Sequence, residues 1–92
     1  MRTICIVTAT RAEYGLLRPV VQRVAASDAL ALQLVVTGAH LCLRLGETVQ
    51  EIERDGFPIA ARLPIFTEDA EEPVAKTIAR TLTVFDDYFA AH

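Results

Sequence analysis

The apolar positions of this 92-residue chain fall into blocks that alternate between two periods. Residues 3–8 (TICIVT) are β-rich and almost wholly apolar, the pattern of a parallel strand covered on both faces. From 14 to 26 the period changes, with Leu16, Leu17, Val20, Val21 and Val24 recurring at helical spacing. Pro19 lies inside this run. Proline is tolerated in a helix in its first turn, so the helix is expected to start near Arg18, or to begin earlier and kink. Ser27-Asp28 reads as its end. Residues 30–37 (LALQLVVT) form a second apolar strand that Gly38 terminates. Residues 39–46 (AHLCLRLG) are apolar enough to be buried but have no clean period. Residues 47–55 (ETVQEIERD) predict a short helix with Val49 and Ile52 inward and Gly56 as the stop. A weaker third strand covers 58–66 (PIAARLPIF), and its two prolines place it at a sheet edge.

An acidic loop follows, Thr67 to Glu72, in which Asp69 and Glu72 have the spacing of a capping box. Pro73 fits the first turn of a final helix. That helix carries Val74, Ile78, Leu82, Phe85 and Phe89 at steps of three and four, a stripe for a core or an interface. The order is β-α-β-α-β-α. It predicts an α/β fold: a three-layer, Rossmann-like parallel sheet with helices on its faces. Three strands make half of a doubly wound sheet, so residues 1–92 are expected to be a partial domain that stops before a fourth strand. In a sheet ordered 3-2-1-4 the first strand would then lie at an open edge.

Composition narrows the possibilities. Hydrophobic residues make up 52%, high for a small domain, so some apolar surface is expected to be exposed or to pack on something outside this sequence. The net charge is -3 without any run of Lys or Arg, which argues against a nucleic-acid footprint. No apolar stretch approaches the length of a membrane span. Cys5 and Cys42 form no CxxC or Cys/His spacing, which argues against a disulfide framework or a metal site and for free thiols in the cytoplasm.

The chemistry-bearing stretch is the loop Thr8-Ala9-Thr10-Arg11-Ala12-Glu13. In open α/β sheets, ligands collect beyond the carboxyl ends of the strands. The helix that follows offers unpaired N–H groups suited to an anion, Arg11 a forked cation and Thr10 a hydroxyl, while Gly15 permits close backbone approach. The loop is neither a G-x-G-x-x-G fingerprint nor a phosphate-binding G-x-x-x-x-G-K-[ST] loop. The competing reading makes Arg11 and Glu13 solvated loop charges, with Glu13 favouring the helix start. Tyr14 is expected to pack on the neighbouring loop. Asp86 and Asp87, adjacent on a helix, diverge in direction and read as a solvated face.

Thr8 to Leu17, TATRAEYGLL, resembles the opening "TGTRAEYGLL" of the hydrolysing UDP-N-acetylglucosamine 2-epimerases. Thr37 to Leu41, TGAHL, resembles that family's "TGMHLS", and Gly46 to Phe57 resembles its "G-x-T-x-x-E-I-E-x-D-G-F". Ala12 replaces the proline of the "GTRPE" loop of the non-hydrolysing epimerases, and Tyr14-Gly15 follow Glu13, which favours the hydrolysing branch. The resemblance implies a GT-B architecture with the nucleotide sugar between two Rossmann-like domains. It also implies conversion of UDP-N-acetylglucosamine and water to N-acetylmannosamine and UDP, by elimination and hydration, without a redox cofactor. A homo-oligomeric parent enzyme is implied too. Arg11 then matches a diphosphate contact and Ala12 a backbone contact, with Thr10 and Gly15 in the same loop and His40 supporting the site. The family's acidic catalytic residues begin at a "GDR" motif after a fourth strand, so none falls in this sequence, and the segment alone is expected to be inactive. The family commonly has Gly where Ala9 stands, and a more polar stretch where Cys42-Leu43-Arg44 stands. Two other readings remain: a non-catalytic binding or assembly module, and the first part of another GT-B nucleotide-sugar enzyme.

Overall fold

The computed structural model describes residues 1–92. The elements are β1 (Arg2–Thr8), α1 (Arg11–Ala26), β2 (Leu30–Thr37), α2 (Val49–Asp55), β3 (Ile59–Leu63) and α3 (Val74–Ala91), with two 3-10 turns at Gly38–Leu41 and Leu43–Leu45. The three strands form one parallel sheet in the order β1-β2-β3, with Ile6 opposite Leu34 and Thr8 opposite Val36. β2 is central and β1 and β3 are edges, as the prolines around β3 require.

Alternation along the strands divides the sheet into two faces. Ile6, Leu34 and Val36 pack with Tyr14, Val21 and Val24 of α1 and with Val49 and Ile52 of α2 in one apolar core. Val21, Leu34, Val36 and Ile52 are fully buried there, and burial of each such side chain is worth about 1.5–3 kcal/mol. The opposite face carries Val35, also fully buried, and Gln33, whose amide donates to the Tyr88 hydroxyl of α3. Helices therefore lie on both faces, the three-layer α/β arrangement expected of the alternating pattern.

Several local expectations are corrected. β1 is well covered on one face only: Thr3, Cys5 and Val7 are exposed on the other, where α3 meets the sheet at Gln33 of β2. α1 begins at Arg11, the earlier of the two expected starts rather than near Arg18, and Pro19 sits in its middle. The missing N–H and the proline ring both act on the carbonyl of Gly15, four residues back. Both residues are on the solvent side, where water can take up the freed carbonyl. No capping box forms at Asp69 and Glu72, since Pro73 is the N-cap of α3 and makes no side-chain cap bond. The Glu72 carboxylate instead takes a two-pronged pair of bonds from Arg80, at 2.6 and 2.9 Å, and others from Thr67 and Thr77. These bonds, Arg80 first, hold the Glu72 carboxyl at about 2, below its ordinary 4.5. The α3 stripe is not core. Val74, Ile78, Leu82 and Phe89 are 73, 54, 68 and 51% exposed, and of the stripe only Phe85 joins Thr77, Arg80, Thr81, Val84 and Tyr88 on the half-buried face.

The segment 39–46, which has no period, is held from a distance. The Glu68 carboxylate accepts the N–H groups of Leu43 and Arg44 at 3.0 and 3.1 Å. Cys42 is buried beside Thr67 and Glu68.

Candidate functional site

The carboxyl ends of β1 and β2 open into the loop 8–13 and the turn 37–41. The β1–α1 junction is built by reciprocal capping. Thr10 is the N-cap, and its hydroxyl accepts the Glu13 N–H at 3.2 Å. The Glu13 carboxylate reaches back and accepts the Ala9 N–H at 2.7 Å. This is the Thr-x-x-Glu capping box with its return bond one residue early, a signal present in the sequence that locates the helix start. The first helical backbone bond runs from Tyr14 N–H to Thr10 C=O, which leaves the Arg11 and Ala12 N–H groups outside the ladder. Both residues are exposed.

Gly38 brings the second loop against the first. Its φ is +62°, and a Cβ placed there would lie 2.8 Å from the Ala9 carbonyl oxygen and 2.9 Å from the Ala9 methyl. The Ala9 methyl thus rests against the Gly38 backbone, in space that only a glycine at 38 leaves free. By contrast, a Cβ at Gly15 would meet nothing within 4 Å. Gly15 opens on a cleft of about 290 Å³ between α1 and α2, lined also by Arg11, Arg18 and Arg54 and by Glu51 and Asp55.

His40 is fully buried. Its Nε2 lies 3.0 Å from the Thr8 hydroxyl and its Nδ1 lies 2.8 Å from the Thr48 hydroxyl. A neutral imidazole has one donor and one acceptor, and the two hydroxyls serve either role. Burial lowers the His40 pKa below its ordinary 6.5, against the opposing fields of Glu13 and Glu51. The Tyr14 ring meets it edge-on, with centroids 6.2 Å apart. The Tyr14 hydroxyl donates to Asp55 at 2.6 Å, and the same Asp55 oxygen faces Arg18 at 3.2 Å. Desolvation first, then this bond, pushes the Tyr14 pKa up. Thr48 would ordinarily cap α2, but makes no cap bond; its hydroxyl is given to His40.

The structure therefore brings Thr10, Arg11, Ala12 and Gly15 together on one exposed helix start. It places His40 beneath them as a buried strut rather than an exposed group. Arg11 is paired: its Nε lies 2.9 Å from Glu51 of α2. Of the residues that link the segments, Thr8 lay in the loop the sequence pointed to, while Thr48, Glu51 and Asp55 were given no role of their own. Only the recurrence of Thr48, Glu51 and Asp55 in the third motif marked them. No three His, Cys, Asp or Glu side chains converge as a metal site would require.

No family profile matches the chain. Among curated proteins it is 40% identical, over 97% of its length, to a UDP-N,N'-diacetylbacillosamine 2-epimerase (hydrolyzing) of Legionella pneumophila, covering 24% of that protein. It is 39% identical over 96% of its length to a GDP/UDP-N,N'-diacetylbacillosamine 2-epimerase (hydrolyzing) of Campylobacter jejuni, covering 23% of it. It is 30% identical over 90% of its length to a UDP-N-acetylglucosamine 2-epimerase of Neisseria meningitidis, covering 22% of it. The chain thus spans about a quarter of the length of the curated relatives it matches, at their N-terminal end.

Proposed function

We propose that this chain, which belongs as an N-terminal segment to the hydrolysing 2-epimerase family, supplies the diphosphate-binding wall of a UDP-sugar 2-epimerase. The observation that carries this is the convergence of the three motif segments. Thr8 and Tyr14 of the first, His40 of the second and Thr48 and Asp55 of the third form one connected set of contacts beneath the Arg11 helix start. Those segments are the ones whose resemblance pointed to the family, and they meet where a parallel sheet collects ligands.

In this reading Arg11 faces the diphosphate, the Ala12 N–H contributes a backbone contact, and Thr10 and Gly15 shape the approach. His40, with no exposed surface, holds the loop and does not touch the sugar. The substrate is a UDP-linked 2-acetamido sugar. UDP-N-acetylglucosamine is the form the motifs favour, and the names of the Legionella and Campylobacter relatives make its diacetamido counterpart an equal candidate. The reaction eliminates UDP and adds water, releasing the 2-epimeric sugar. The acids for that chemistry and the facing wall of a GT-B cleft lie outside this segment, so the 92 residues alone do not turn substrate over. Without a second wall, neither sugar orientation nor water exclusion is available. The free thiols Cys5 and Cys42 fit a cytoplasmic setting. The uncovered α3 stripe and β1 edge fit a protein that assembles with copies of itself.

Two measurements on the complete protein test this reading. Arg11→Ala should weaken UDP binding by about 1.5–3 kcal/mol, the worth of one charge-assisted contact, and leave the fold intact. Turnover of UDP-N-acetylglucosamine against its diacetamido counterpart assigns the sugar. Unchanged UDP affinity in the Arg11 variant would leave Arg11 a solvated loop charge.

A further inference from the structure

The guanidinium assigned to the diphosphate is already in use. Arg11 Nε faces Glu51 Oε1 at 2.9 Å, with side chains 71% and 36% exposed. Glu51 cannot drift away with its helix, because its neighbour Ile52 is fully buried and fixes α2 against the sheet. Three residues on, Arg54 lines the same cleft and has no carboxylate within ion-pair distance. Residues three apart share one helix face, so a Glu51 released from Arg11 has a second cation within reach.

We infer that Glu51 is an affinity-determining residue, an internal carboxylate that holds Arg11 in the empty site and must yield it to an incoming nucleotide diphosphate. The inference rests on the reading of Arg11 as a nucleotide contact. A carboxylate and a phosphate oxygen compete for the same fork of N–H donors. The pair is exposed, so parting it costs little, but that cost is subtracted from every binding event. Exchange of Glu51 onto Arg54 returns part of it. Glu51 thus tunes affinity downward without touching the ligand.

The test is calorimetric titration of UDP into the complete protein and its Glu51→Gln, Arg11→Ala and doubly substituted forms, each with an unchanged circular-dichroism spectrum. Glu51→Gln should bind UDP about two- to fivefold more tightly, the range set by an exposed ion pair. The double variant should bind no better than Arg11→Ala alone. Arg54→Ala should weaken UDP binding, since Glu51 then has nowhere to go. Unchanged or weaker binding by Glu51→Gln, with Arg11→Ala still impaired, overturns the competition and leaves the nucleotide reading standing. Unchanged binding by Arg11→Ala overturns both.

Discussion

Replacing His40 by alanine should be among the most damaging single changes in this chain. The side chain is fully buried and its two nitrogens join the end of β1, through Thr8, to the start of α2, through Thr48. Each buried hydrogen bond contributes about 1 kcal/mol net. Thr8 is itself fully buried, so its hydroxyl loses its partner with no water to replace it, a further penalty of about 1–3 kcal/mol. The space vacated beside Tyr14 adds a cavity cost like that of other large-to-small core changes, about 2–5 kcal/mol, part of which overlaps the bonding terms. A loss of about 4 kcal/mol is a large share of the ~5–15 kcal/mol that holds a domain together. Wild-type His40 should also make stability depend on pH. Its folded pKa lies below 6.5, so on acidification the unfolded chain takes the proton first. The stabilisation is complete above 6.5 and is lost as pH falls through the folded value. Urea unfolding followed by circular dichroism at about pH 8 and about pH 5.5, above the range of ordinary carboxylates, reads this directly. The wild-type midpoint should fall at the lower pH, and His40→Asn should lose that dependence. A cost for His40→Ala below about 1 kcal/mol, or equal wild-type midpoints, would show that the strut bears no weight.

Gly38→Ala should destabilise by at least about 2 kcal/mol in the same assay, because it adds left-handed strain at φ +62° to a 2.8 Å approach to the Ala9 carbonyl; a neutral result would mean the two loops separate freely. At lower pH a different limb appears: Glu72, held at about 2 against an ordinary 4.5, stabilises fully above 4.5 and ceases to as pH falls through about 2. Glu72→Gln should flatten that limb, and an unchanged acid profile would contradict the role given to the Arg80 pair. The isolated chain should self-associate at micromolar concentration through the bare β1 edge or the Val74–Phe89 stripe, and Leu82→Glu should reduce it if the stripe is used. Sedimentation showing a single 10.1 kDa species would refute this.

The sequence by itself determined the element order, the parallel sheet, the burial of β2 on both faces and the inward face of α2, because a central strand reads as a continuous apolar run and α2 buries Val49 and Ile52 at helical spacing. Gly38 and Gly56 were legible stops, and both take positive φ. The three motif segments were legible as a family signature, although nothing in their spacing says that they touch. Only the tertiary structure decided that Thr8, His40 and Thr48 form one strut, and that Arg11 lies on Glu51, because those contacts join residues 8 to 40 positions apart. It also decided the fate of the two apolar runs that looked most like core. The run in β1 is exposed on one face, and all of the α3 stripe but Phe85 faces outward. Periodicity shows that a helix or strand has an apolar side, but burial depends on what lies across from that side. Across from these two, the chain puts too little to bury them.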